Sequence, residues 1–88
     1  MHNYKFGKKL ERFLPKLYKK DRKLYEQILK KIDEIVNSHN IDAYKNLRYN
    51  LKDFKRVHIG HFVLVFSYDK QLNLILFEDF DHHDNIYK

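Results

Sequence analysis

The chain has 88 residues, no cysteine, 16% aromatic residues and a net charge of +6. This length predicts one domain, residues 1–88, with a modest core. The lack of cysteine excludes disulfides and thiolate metal sites. No apolar stretch reaches the roughly 18 residues of a transmembrane helix, and the N-terminus lacks the apolar segment of a signal peptide. We therefore expect a cytoplasmic protein that does not bind a membrane.

The positive charge is concentrated in the first two thirds of the chain. Residues 1–56 hold 16 Lys and Arg against 7 Asp and Glu, a balance of +9, whereas residues 57–88 hold 2 against 5, a balance of −3. A basic surface favours polyanions, and RNA or the ribosome is the leading candidate for a cytoplasmic domain. A solvated lysine-rich helix surface explains the same charge equally well.

The first half of the chain predicts a short strand and two helices. Asn3–Phe6 is the candidate strand. Lys8–Tyr18 carries apolar residues at helical spacing, and Pro15 either kinks this helix or starts the next one. Asp21 is a suitable N-cap for the second helix. That helix has an apolar stripe consisting of Leu24, Ile28, Ile32 and Ile35.

The second half predicts a strand meander and a short tail. Leu47–Leu51 is a weak strand, and Phe54–Ile59 alternates apolar and polar residues. His61–Tyr68 and Leu72–Glu78 are apolar on both faces, as central strands are. Phe80–Tyr87 is a tail with a short extended or helical piece. The order β-α-α-β-β-β-β indicates an α+β domain with two N-terminal helices packed on a small antiparallel sheet.

Four residues near the C-terminus have the chemistry that metal-free RNA cleavage needs. Arg56 and His58 are two apart on one strand and share a face. His83 and Tyr87 are four apart and share a face if the tail is helical. Attack by a 2′-hydroxyl needs a base, an acid and a cation for the charge that develops on phosphorus. An ordinary solvent-exposed strand face is the alternative reading, and the pattern leaves open which of His82 and His83 faces the site.

Two further groups of residues could bind ligands. Lys45, Arg48, Lys52 and Lys55 surround the proposed face and could contact phosphates, or could serve only solubility. The run Asp81–Asp84 could bind a metal ion, but adjacent histidines rarely chelate one ion well. We expect no metal and no cofactor.

The chain resembles the RelE/ParE superfamily of toxins. The resemblance lies in the segments KRVHIGHFVLVF and FDHHDNIY, in the helix pair and in the segment LRYNL. RelE-type members have a strand like "yRvriGdyRliY" and a tail like "vxHRxxiY". Arg56 and His58 occupy the basic positions of the first strand, and Tyr87 matches the family tyrosine. Val63 stands where RelE has an arginine, and His83 stands where the tail has one.

The YafQ-like branch resembles this chain most closely. Its members read "RDxHIxPDWxLIY", followed by a tail histidine and an aromatic residue four positions later. His61 and Phe62 fall where that branch has Asp and Trp, and both would contact RNA. His83 matches the branch's catalytic histidine, while Lys45 aligns with an upstream histidine that the branch uses.

The resemblance implies a toxin of a type II toxin–antitoxin system that cuts mRNA on a 70S-type ribosome and so inhibits translation. It implies His83 as general acid or base, His58 as its partner, Arg56 as charge stabiliser and Tyr87 as a substrate-orienting group. It also implies a cognate antitoxin protein and a toxin–antitoxin hetero-oligomer. The alternatives are a ParE-like toxin that binds gyrase and a catalytically inactive, protein-binding relative.

Overall fold

The fold is α+β, with helices packed on one face of a four-stranded sheet. The computed structural model describes residues 1–46 and 54–86. The predicted strand Leu47–Leu51 lies outside them. In chain order the described elements are β1 (Asn3–Phe6), α1 (Lys8–Lys20), α2 (Arg22–Val36), a 3-10 turn (Ile41–Ala43), β2 (Lys55–Ile59), β3 (Phe62–Asp69), β4 (Leu74–His82) and α3 (His83–Ile86).

The strand order in the sheet is β1-β4-β3-β2. Strands β2, β3 and β4 form the predicted antiparallel meander. Strand β1 runs parallel to β4, with Asn3 opposite Leu74 and Phe6 opposite Phe77. The sheet is therefore mixed rather than antiparallel throughout. The two helices between β1 and the meander allow this direction, because no tight turn links β1 to its neighbour.

The predicted helix pair is confirmed, with one difference at its first member. Helix α1 continues through Pro15 to Lys20, although the proline has no N–H to donate to the preceding turn. Asp21 caps α2, because its carboxylate accepts a hydrogen bond from the Leu24 N–H at 3.1 Å. Such a cap satisfies one of the backbone donors that the first turn of a helix leaves unpaired.

The main core lies between the helices and one face of the sheet. On β3, Leu64 and Phe66 are fully buried on this helix-covered face. They pack against buried residues of the helices and of β4, namely Leu10, Leu14, Leu17, Ile28, Ile32, Ile35, Ile75, Phe77 and Phe80. Among the described residues, the opposite face, which we call the open face, has a small apolar cluster. Val63 and Val65 form that cluster, with Phe54 and Ile86 packed on them.

Strand β4 extends further than the sequence predicts. It was expected to end at Glu78, but it continues to His82 because β3 pairs with it as far as Phe62 opposite His82. A bulge between Val65 and Phe66 shifts the register within this pairing. The predicted tail therefore begins as the end of a strand and turns into α3. Within the part of the chain that the structure describes, no helix has the length and apolar character needed to cross a bilayer.

Candidate functional site

Strand β2 places Arg56 and His58 together on the open face. The alternation of the strand points Val57 and Ile59 to the helix-covered core and the two polar residues the other way. Arg56 lies opposite Val65 in the sheet, and His58 lies opposite Val63. The two small valines form an apolar floor beside them. Arg56 is half-buried and His58 is exposed.

Helix α3 places His83 beside His58 on the open face. The imidazole rings of His58 and His83 stack with their centroids 5.7 Å apart and their planes at 27°. His83 begins α3, directly after the last residue of β4. Its side chain remains 50% exposed, so a ligand can reach the ring.

His82 has a different environment. Its ring stacks on His61 at 6.2 Å and 17°, and it meets the edge of Phe62 at 5.7 Å and 74°. Phe62 also stacks on Phe80 at 5.1 Å, a residue of the main core. These contacts place His61, Phe62 and His82 at the end of the sheet, beside the turn between β2 and β3. The histidine that stacks on His58 is therefore His83.

Arg56 and His58 are in direct contact on the open face. The Arg56 Nη1 and His58 Nε2 atoms are 3.1 Å apart. A guanidinium can only donate hydrogen bonds, so Nε2 is the acceptor and has no proton. Loss of water around the ring lowers the pKa of His58, and the positive charges of Arg56, His83 and Lys45 lower it further. The lowered pKa favours the neutral form of the His58 ring near pH 7.

The predicted phosphate-binding residues separate into two sets. Lys45 is near the site, because its carbonyl accepts the Arg56 N–H at 2.9 Å and its charge acts on His58. Lys55 is not brought to Arg56 and His58. It lies opposite Phe66 on the helix-covered side, where its ammonium donates to the Tyr44 carbonyl at 3.3 Å and to Asn46 Oδ1 at 3.1 Å.

Three predicted site residues, Arg48, Lys52 and Tyr87, lie outside the described residues. The metal-binding alternative for the tail finds no support among residues 1–46 and 54–86. There, no group of three or more His, Cys, Asp or Glu side chains is arranged to hold an ion.

Asn85 was not identified from the sequence, although it contacts the residues around His83. Its side-chain amide donates to Asp81 Oδ1 at 3.0 Å, and the same oxygen accepts the His82 N–H at 2.7 Å. The hydrogen bond from Asn85 is the main reason that the pKa of Asp81 lies below its ordinary value. The sequence signal for this contact is an acidic residue followed four positions later by Asn. The spacing predicts a contact only where the segment is helical.

No family model matches the chain. A protein of Methanocaldococcus jannaschii, named "Putative toxin RelE4", is 51% identical over 89 residues, and the match covers 100% of this chain and 93% of the relative. The matched segment spans all the residues of the site described above.

Three solved structures share the fold. The metal-bound toxin from Helicobacter pylori has a TM-score of 0.76 at 24% identity, covering 98% of this chain and 99% of that one. Escherichia coli YafQ has a TM-score of 0.74 at 14% identity, covering 100% of both chains. A chain of the toxin–antitoxin complex RelBE2 from Mycobacterium tuberculosis has a TM-score of 0.62 at 20% identity, covering 92% of this chain and 96% of that one.

Proposed function

The chain belongs to the RelE-type toxin superfamily, and on that premise we propose that it is a metal-free, ribosome-dependent mRNA endoribonuclease. One observation carries the proposal, namely the stacked rings of His58 and His83 beside the guanidinium of Arg56. Two imidazoles and a permanent cation on one exposed face supply a base, an acid and a charge stabiliser. These are the three groups that phosphodiester cleavage by an internal hydroxyl requires.

His58 serves as the general base in this proposal. Its lowered pKa keeps the ring neutral near pH 7, so it can accept the proton of the 2′-hydroxyl. The 2′-oxygen then attacks phosphorus, and the bond from phosphorus to the 5′-oxygen breaks. His83, in its protonated form, donates its proton to the departing 5′-oxygen. The products are a 2′,3′-cyclic phosphate and a 5′-hydroxyl, and no external reactant is consumed.

Arg56 has two successive partners in this scheme. Without substrate it donates to His58 Nε2. When a phosphate arrives, the guanidinium bonds to its oxygens, since charge-assisted bonds to phosphate are stronger than a bond to a neutral ring. The lone pair of Nε2 then becomes available for the 2′-hydroxyl proton. Lys45 adds positive charge beside the same position, and Tyr87 orients the substrate by analogy with the family.

We propose that the partners are the ribosome with its mRNA and a cognate antitoxin. The structural neighbour from M. tuberculosis was solved as a toxin–antitoxin complex, which supports an antitoxin for this chain. The balance of +9 over residues 1–56 supports a partner with acidic or phosphate groups. An antitoxin that covers this basic surface would keep RNA away from the open face.

The test is an in vitro translation reaction with purified protein, in which mRNA ends are mapped by primer extension. We expect codon-phased cuts that require ribosomes. His58→Ala and His83→Ala should each reduce the cleavage rate by about 10²–10⁴-fold, the usual contribution of a general acid or base. His39→Ala is the matched control, because His39 is an exposed histidine after α2 and far in sequence from the site; its cleavage rate should equal that of the wild type.

Two results would overturn the proposal. Cleavage that persists in folded His83→Ala protein would remove that residue from the mechanism. Intact mRNA in the presence of folded wild-type protein, combined with altered DNA supercoiling, would instead favour a toxin that binds gyrase.

A further inference from the structure

The position of His83 depends on α3, a helix that needs contacts with the rest of the protein to be stable. Helix α3 has four residues, about one turn, and a helix this short is not stable alone in water. Contacts with the sheet must therefore fix both its location and its rotation. Among the described residues, three contacts constrain different parts of the helix, in addition to the stack of His83 on His58 and a longer hydrogen bond from the Asp84 N–H to His82 Nδ1 at 3.3 Å.

The first contact anchors the start of α3 and the second anchors its end. The His83 N–H donates to the carbonyl oxygen of His61 at 2.8 Å, which ties the helix to the turn between β2 and β3. Ile86 packs on the floor formed by Val63 and Val65. An apolar contact of this kind is non-directional, so it holds the helix against the sheet without defining its rotation.

The third contact is directional, unlike the apolar contact of Ile86, and it acts on Asn85, beyond the first residue of α3. Asp81, the penultimate residue of β4, accepts hydrogen bonds from the His82 N–H at 2.7 Å and from the Asn85 amide at 3.0 Å. One carboxylate oxygen thus links the end of the strand to the outer side of α3. Asp81 is ionised near neutral pH, since its lowered pKa favours the charged form, and hydrogen bonds to a charged acceptor are stronger than neutral ones.

We propose that Asp81 and Asn85 are positioning residues that set the rotation of α3 and thereby hold the His83 ring over His58. The role of these two residues in catalysis rests on the proposed function, whereas their effect on the position of His83 does not. Neither side chain touches the reacting atoms; both act through His83. The pair, which we call the Asp81–Asn85 clasp, determines the distance between the acid and the base.

The test uses full-length Asn85→Ala and Asp81→Ala proteins and their double variant. Asn85 is exposed, so its replacement leaves the core intact. Asp79→Asn is the matched control: Asp79 also lies on β4 and accepts the N–H of the next residue at 2.7 Å, but its other partner is Lys9 of α1. Folding of each variant is checked by circular dichroism.

The first readout is the nuclear Overhauser effect between the imidazole rings of His58 and His83 in the free protein. We expect it in the wild type and in Asp79→Asn, and we expect its loss in both clasp variants. The second readout is the cleavage of one mRNA substrate, measured as kcat and KM. The clasp variants should lose roughly ten- to a hundredfold in kcat with KM unchanged, as expected for a displaced catalytic group. The double variant should be no worse than Asp81→Ala alone, because Asp81→Ala already removes the contact that Asn85 makes.

The outcomes separate this proposal from the proposed function. If Asn85→Ala keeps both the ring contact and full kcat, the clasp does not position His83 and the inference is overturned. If the ring contact is lost in the clasp variants but wild-type protein cuts no RNA, the clasp is supported and the nuclease assignment fails.

Discussion

On β3, Leu64 and Phe66 point into the helix-covered core, while Val63 and Val65, which alternate with them, lie under α3 on the open face. The same four-residue stretch thus supplies both sides of the sheet. The helix-covered face combines residues from three strands and two helices, whereas the apolar cluster of the open face has two buried residues. Because burial of apolar surface drives folding, the first face supplies most of the stability and leaves the second available for polar side chains.

The division between the two faces keeps the polar side chains of β2 out of the core. Arg56 and His58, the proposed charge stabiliser and base, are polar side chains whose burial would be costly inside a core. Strand alternation exposes them while Val57 and Ile59, on the same strand, help to hold β2 in the sheet. Substitutions in the helix-covered core should therefore mainly lower stability, whereas substitutions of Arg56 or His58 should mainly lower activity.

The largest expected effect is on the helix-covered face. Phe66 is fully buried and contacts the rings of Tyr44 and Phe77 at centroid distances of 5.6 and 5.8 Å. Phe66→Ala should reduce the free energy of unfolding by about 3–5 kcal/mol, measured by urea denaturation. His58→Ala, on the opposite face, should change it by no more than about 0.5 kcal/mol. Equal losses in the two variants would contradict the division between faces.

A smaller effect is expected beneath α3. Val65→Ala removes two methyl groups from the floor of the open face, which should cost about 2 kcal/mol in unfolding free energy. It should also weaken the contact between Ile86 and the sheet and so reduce cleavage. Ser67→Ala, on the same strand and face, should leave both quantities near wild type. A Val65→Ala protein with normal stability would show that the small cluster contributes little.

The smallest effect is electrostatic and concerns the pKa of His58. Lys45→Ala removes one of the positive charges that lower this pKa, so the pKa should rise toward the ordinary histidine value. NMR titration of the ring measures the shift, and Lys16→Ala, on α1, should not produce it. If His58 is the base, the acidic limb of the profile of kcat/KM against pH should move to higher pH by the same amount.

The direction in which the free energy of unfolding changes with pH follows from the number of protons that His58 binds in each state. Over the range between its lowered folded pKa and its ordinary unfolded pKa, His58 binds fewer protons in the folded state. Its contribution to stability is therefore complete above the ordinary histidine range and is lost as pH falls through the lowered pKa. Lys45→Ala should reduce that acid-dependent loss. A folded pKa that stays unchanged in this variant would show that Lys45 does not act on His58.

Much of the fold follows from local patterns. The apolar spacing of the two helices, the cap at Asp21 and the alternation of β2 all predicted elements that the structure contains. The same alternation places Lys55 with Val57 and Ile59, facing away from Arg56, so the phosphate-binding role predicted for Lys55 could have been questioned from the sequence. Its side chain instead bonds to Tyr44 and Asn46.

Other features depend on contacts that a local pattern does not encode. The end of β4 at His82 depends on pairing with Phe62, twenty residues earlier in the chain. The choice between His82 and His83 depends in turn on that strand end, because one residue of shift would exchange their directions.

The sequence by itself predicted β1, the two long helices, the strands of the meander and the shared face of Arg56 and His58, because helix and strand periods are properties of neighbouring residues. Tertiary structure decided that β1 runs parallel to β4 and that His83 stacks on His58. Both depend on register between segments far apart in the chain, and register is set by packing of whole faces rather than by any single residue. The stack of His83 on His58 depends on the end of β4 and on α3, which meet at the same edge of the sheet.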